Sequence, residues 1–105
     1  MVIAAIDWAI ANKSSANIRV INLSLGRPVT TSYTKDPLCQ AAEAAWNAGI
    51  VVVAAAGNLG RQGYGTITAP GNDPKVITVG AVNDHGGRGK YAEHACYYRR
   101  RGSEL

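Results

Sequence analysis

With 105 residues the chain has room for one modest hydrophobic core and not for two, and a composition of 47% hydrophobic and 17% charged residues excludes an intrinsically disordered protein. The net charge of +4 is unevenly placed: residues 1–84 carry six Lys/Arg against five Asp/Glu, whereas residues 85–105 carry five against two, so the basicity belongs to the tail and does not mark a nucleic-acid-binding core. The longest apolar stretch, Ile50 to Ala56, is far below the roughly 20 residues of a membrane-spanning helix, and Met1 to Ile6 has no basic flank, so neither a span nor a signal peptide is expected.

Val2 to about Asn12 reads as a helix that is apolar on nearly every side, with Asp7 its only charge, and is therefore expected to be buried on more than one face. The polar turn Asn12 to Asn17 leads into Ile18-Arg19-Val20-Ile21-Asn22-Leu23-Ser24, a short β-branched run that predicts a strand of a mostly parallel sheet, ending at Leu25-Gly26. Residues 27–35 form a polar loop. Asp36-Pro37 then supplies an N-cap followed by proline at the first helical position, and Leu38, Ala41, Ala42, Ala45 and Trp46 recur at helical spacing, which predicts a helix over Pro37 to Ala48 closed by Gly49. The continuous apolar run Ile50 to Ala55 predicts a central parallel strand covered on both faces. Gly57 to Asp73 is a glycine-rich loop of the kind that borders a functional site, and Val76 to Val82 is a third strand.

The order helix, strand, helix, strand, loop, strand places the chain in the α/β class, as a partial doubly wound parallel sheet of about three strands and two helices. With no Phe, the core must be built from Ala, Val and Ile, each burying little area. From Asp84 onward the periodicity is lost. Residues 85–105 are expected to be a poorly ordered basic tail, and its three consecutive arginines beside Tyr97 and Tyr98 read as a solvated segment before they read as a nucleic-acid contact. Cys39 and Cys96 fit neither a disulfide framework nor a metal site.

Three segments, Val20 to Gly26, Ala45 to Asn58, and Thr66 to Gly71 with Val76 to Ala81, resemble in order and spacing those of the subtilisin-like serine peptidases. The resemblance covers residues 2–84, the partial peptidase domain, and leaves 85–105 outside it. It implies that the side-chain amide of Asn58 is the oxyanion donor, that Ser24, Leu25 and Gly26 hydrogen-bond a peptide substrate as an added strand, and that Gly26 leaves room for its approach. Ala54, Ala55, Ala56 and Gly57 would form one side of the primary specificity pocket, with Thr66 to Pro70, including Thr68, as its rim. The Ala69-Pro70 bond resembles a cis position of the family.

In that family the catalytic Asp and His precede the first of these segments and the Ser follows the last. None of the motifs Asp-Ser-Gly, Asp-Thr-Gly, His-Gly-Thr or Gly-Thr-Ser occurs in the 105 residues, and His85-Gly86 follows the third strand instead of opening a helix. The expectation is a fragment that is inactive as a peptidase, with no required cofactor. A cation held near Gly71, Asp73 and Val76 is the weak exception that the resemblance allows. The alternative is a small esterase working on activated esters, with Ser24, His85 or His94 recruited by association of chains. A partial parallel sheet leaves edges and faces uncovered, so self-association into a homo-oligomer is expected, with a peptide or ester as substrate and no membrane or nucleic acid as partner.

Overall fold

The computed structural model describes residues 1–59, 62 and 65–80. Its elements are α1 (Val2–Ala11), β1 (Val20–Leu23), α2 (Pro37–Asn47), β2 (Val51–Ala55) and β3 (Ile77–Val79). The three strands lie in the order β1-β2-β3 and all run parallel. Each parallel pair needs a crossover, supplied between β1 and β2 by α2. The predicted elements are therefore present, most with ends trimmed by one or two residues; β3 ends at Val79, and the expected continuation of that strand over Ala81 and Val82 lies outside the described residues. His85, His94, Cys96 and the tail as a whole lie outside the described residues.

Register aligns Asn22 with Val53 and Ile77, and Leu23 with Ala54 and Thr78, so alternate rows of side chains fall on opposite faces. One face is the core: Leu23, Val52 and Ala54 are buried beneath the helices with Leu38, Ala41, Ala42 and Ala45 of α2, and Ile50 and Val76 close the same cluster. Alanines at these α2 positions let the helix backbone lie close over β2.

The other face differs from the expectation for β2. Val20, Val51, Ile77 and Val79 are 58, 38, 47 and 53% exposed, and Val53 and Ala55 of β2 are half-buried, so among the described residues this face of the sheet is covered only in part. The helix α1 departs in the same way. It packs on α2 through Ile6 and Ala9, but Trp8 is 61% exposed and Ile3 is also exposed, so one stripe is buried and not several faces. An apolar residue is buried only where another element is present to meet it, and the described residues supply one covering layer.

Local chemistry sets the boundaries of α2. Asp36, with extended backbone, accepts from Leu38 N at 2.8 Å and from Cys39 N at 3.4 Å, satisfying two of the orphan donors at the helix start. At the other end Gly49 has φ +87°, its N–H donates to Trp46 O at 3.0 Å, and Ile50 N donates to Ala45 O at 3.0 Å, the paired bonds of a Schellman closure. The Lys13 ammonium adds a third cap by donating to Ala48 O at 2.6 Å. Replacing Asp36 by Ala is expected to cost about 1 kcal/mol, up to about 2, by loss of the cap. A lowered urea midpoint at unchanged slope is the expected readout.

Candidate active-site cleft

The carboxyl ends of β1 and β2 and the loop leading to β3 meet in one place. Arg27, four residues beyond the end of β1, pairs with Ala69 as an isolated antiparallel bridge, with Arg27 N donating to Ala69 O at 3.0 Å and Ala69 N to Arg27 O at 2.9 Å. Ala56, just beyond β2, is tied on both sides: its N–H donates to Val79 O at 2.9 Å, and its carbonyl accepts from Thr68 N at 3.1 Å. The bond between Ala69 and Pro70 is cis, as the resemblance implies.

Thr68 is the side chain at the centre of this seam. It is buried, and its hydroxyl donates to Ala56 O at 3.5 Å. A Cβ placed on Gly57, where φ is +103°, would lie 2.8 Å from Thr68 Oγ1, and a Cβ on Gly26 would overlap the same atom. Both glycines are thus required by close approach. The space that Gly26 opens is filled on this side by Thr68, a contact that sequence spacing does not reveal.

Of the residues expected in the site, the structure gathers Ser24, Leu25, Gly26, Ala55, Ala56, Gly57, Asn58 and Thr68 along this end of the sheet. Ser24, Gly26 and Asn58 are exposed, Leu25, Ala55 and Gly57 half-buried, and Ala56 and Thr68 buried. Asn22 Nδ2 donates to Ser24 Oγ at 3.0 Å, so the serine hydroxyl is engaged by an amide and not by a base. Open α/β sheets hold ligands at the carboxyl ends of their strands, where an exposed side-chain amide such as that of Asn58 can donate to a substrate oxygen.

Sequence reasoning took Asp36 as a helix cap and missed its second role. Asp36 is fully buried and also accepts from the Arg27 guanidinium, so the segment carrying Arg27 is bonded to the start of α2 as well as to Ala69. Behind the seam, Cys39 Sγ donates to Asn72 Oδ1 at 3.4 Å. Burial pushes the Cys39 thiol up to about 12, with the carboxylates of Asp36 and Asp73 adding to the shift, so it is a packing group and not a nucleophile.

Asp73, beside which the resemblance allows a cation only as a weak exception, is buried with Oδ1 accepting from Lys75 N at 2.9 Å. The Gly71 carbonyl accepts from Thr78 Oγ1, and Val76 is buried in the core. No group of three or more His, Cys, Asp or Glu is arranged to hold a metal among the described residues. No helix among them is long and apolar enough to cross a membrane.

The parallel α/β arrangement agrees with the comparisons with known proteins. The model of the subtilase family of peptidases matches residues 1–105. The chain belongs to the subtilase family. It is 42% identical over 89 residues to the serine protease AprX of Bacillus subtilis and 40% identical over 92 residues to subtilisin E of the same species, covering 80% and 87% of this chain but only 20% and 22% of those proteins. Among solved structures, the prenylagaramide maturation protease PagA aligns with a TM-score of 0.61 at 28% identity over 81% of this chain and 28% of its own. A psychrophilic protease aligns with a TM-score of 0.64 at 31% identity over 76% of this chain and 25% of its own. The chain thus spans about a fifth of the length of the two curated relatives and about a quarter of the two solved chains.

Two outcomes follow from the site geometry. Gly26→Ala is expected to destabilise the chain by about 1–3 kcal/mol through overlap with Thr68. Thr68→Gly should absorb much of that cost, which a double-mutant cycle of unfolding free energies measures. Burial raises Asp73 from 3.8 to about 7, the neighbouring Glu43 carboxyl adding to the shift and the Lys75 backbone N–H opposing it. The folded chain therefore binds a proton that the unfolded chain has released, and this contribution to stability, complete below about pH 4, is lost as pH rises through about 7. Asp73→Asn keeps the Oδ1 acceptor and is expected to flatten that slope in urea titrations at several pH values.

Proposed function

We propose that residues 2–84 supply the substrate-cleft wall and the oxyanion donor of a subtilisin-like serine peptidase domain acting on peptides. The observation that carries this reading is the seam at the carboxyl end of the sheet: Thr68 seated against Gly26 and Gly57, joining the 24–27 segment, the end of β2 and the 66–70 loop beside the exposed Asn58. In this reading the Asn58 amide holds negative charge on the carbonyl oxygen of a tetrahedral intermediate. Ser24, Leu25 and Gly26 present main-chain groups to an extended peptide, as an added strand does. In the same reading Ala55, Ala56, Gly57 and Thr68 line the adjoining pocket, where small side chains leave room for a substrate side chain.

Hydrolysis further requires a nucleophile, a base and a group that orients the base. Those motifs do not occur among the 105 residues, and the one site serine, Ser24, is bonded to an amide. The chain by itself is therefore inactive as a peptidase, and its chemistry is that of a charge-stabilising half site. Purified chain should leave casein uncut. The oxyanion role is tested by grafting residues 20–80 into subtilisin E in place of its corresponding segment. Provided the chimaera is active, Asn58→Ala should lower kcat by about 10² to 10³ with little change in KM, the effect of deleting one oxyanion donor. An unchanged kcat would remove Asn58 from the mechanism.

The uncovered sheet face supports self-association of the chain as a homo-oligomer. Val20, Val51, Ile77 and Val79 project from adjacent parallel strands into solvent, and parallel sheets are ordinarily covered on both faces. Light scattering should give a mass above that of the single chain, falling toward it on Val79→Lys. A strictly monomeric folded chain would exclude the association.

A further inference from the structure

The ends of the strands opposite the cleft carry two adjoining concavities. The first, about 270 Å³, is lined by Lys13, Ser14, Asn17, Ile18, Arg19 and Gly49. The second, about 250 Å³, is lined by Trp46, Gly49, Ile50 and Val51. Gly49 borders both, and it has no side chain with which to divide them.

The two spaces differ in chemistry. In the first, the Lys13 ammonium uses one of its protons on Ala48 O and keeps two, while exposed Arg19 uses Nε on Asn17 Oδ1 at 3.4 Å. Among the described residues neither cation is paired with a carboxylate, the two ion pairs being Arg27 with Asp36 and Lys75 with Glu43. The second space is apolar, with exposed surface of Trp46 and Val51 flanking buried Ile50.

We infer that the Gly49 junction binds a small amphiphilic carboxylate, its acid group on Arg19 and the remaining protons of Lys13 and its hydrocarbon against Trp46 and Val51. The sign of the charge makes the selection: an amine of equal size would face two cations, and a neutral alcohol would leave them unmatched. The volumes, just below the usual range for small-molecule pockets, restrict the hydrocarbon to a short one. Carboxylate on an apolar group occurs both in free short-chain acids and at the C-terminus of a peptide ending in an apolar residue. The junction shares no residue with the cleft, so it stands whether or not the peptidase reading does.

The test uses the 105-residue chain with Trp8→Phe, which leaves Trp46 as the reporting fluorophore. Octanoate and acetyl-Ala-Ala-Leu with a free carboxylate are titrated to about 10 mM, a range suited to ligands of this size. Octylamine, octanol and sulfate serve as matched probes, and circular dichroism checks the fold. The expected result is saturation by at least one carboxylate, weakened about tenfold or more by Arg19→Glu, and none by octylamine. Saturation by octanoate alone identifies a free acid, and by the peptide alone a chain terminus. No saturation by either carboxylate, equal saturation by octanol or by sulfate, or an Arg19→Glu chain that binds as tightly as its parent overturns the inference.

Discussion

The cleft end of the molecule depends on close approach at Thr68. The segment after β1, the segment after β2 and the loop leading to β3 are held together there by main-chain bonds from Thr68 to Ala56 and between Arg27 and Ala69. The approach is possible only because positions 26 and 57 carry no Cβ, and Thr68 takes the space that two side chains would have needed. Once these segments are joined, the exposed amide of Asn58 sits at the edge of a wall whose backbone is fixed on both sides. For the proposed oxyanion role of Asn58, preorganisation of this kind matters because a fixed dipole does not have to reorient as charge develops.

A second constraint acts from behind the wall. Asp36 is buried where α2 begins and serves two partners at once, the first amides of the helix and the guanidinium of Arg27. A helix start is a natural place for a carboxylate because unsatisfied N–H groups and the helix dipole both favour negative charge. Placing Arg27 there fixes the strand-end loop to the same helix that covers β2. Solvent screens the arginine end of the ion pair, which is 42% exposed, whereas the carboxylate end is fully buried.

The sheet shows what a single covering layer can and cannot do. Leu23, Val52 and Ala54 are buried under α2, whereas Val20, Val51, Ile77 and Val79 on the reverse face meet solvent. Trp8 on α1 is in the same position. Apolar area left exposed on adjacent strands is unfavourable by roughly 25 cal/mol per Å², so any surface able to cover it is favoured by the same term.

Much of the fold was legible in the order of the residues. Asp36-Pro37 and Gly49 marked the ends of α2 because capping depends on a few neighbouring atoms, and the β-branched runs around Ile21, Val52 and Thr78 marked strands because their spacing is a local property. The candidate cleft residues were legible through their family resemblance. Whether β2 would be covered on one face or two was not, since Val51 and Val52 are chemically alike and differ only in which side of the sheet an α-helix occupies. The contact of Thr68 with Gly26 and Gly57, the pairing of Arg27 with Asp36, and the two pockets meeting at Gly49 join residues distant in sequence. Such contacts are decided by how packed elements approach one another, which local propensity does not encode.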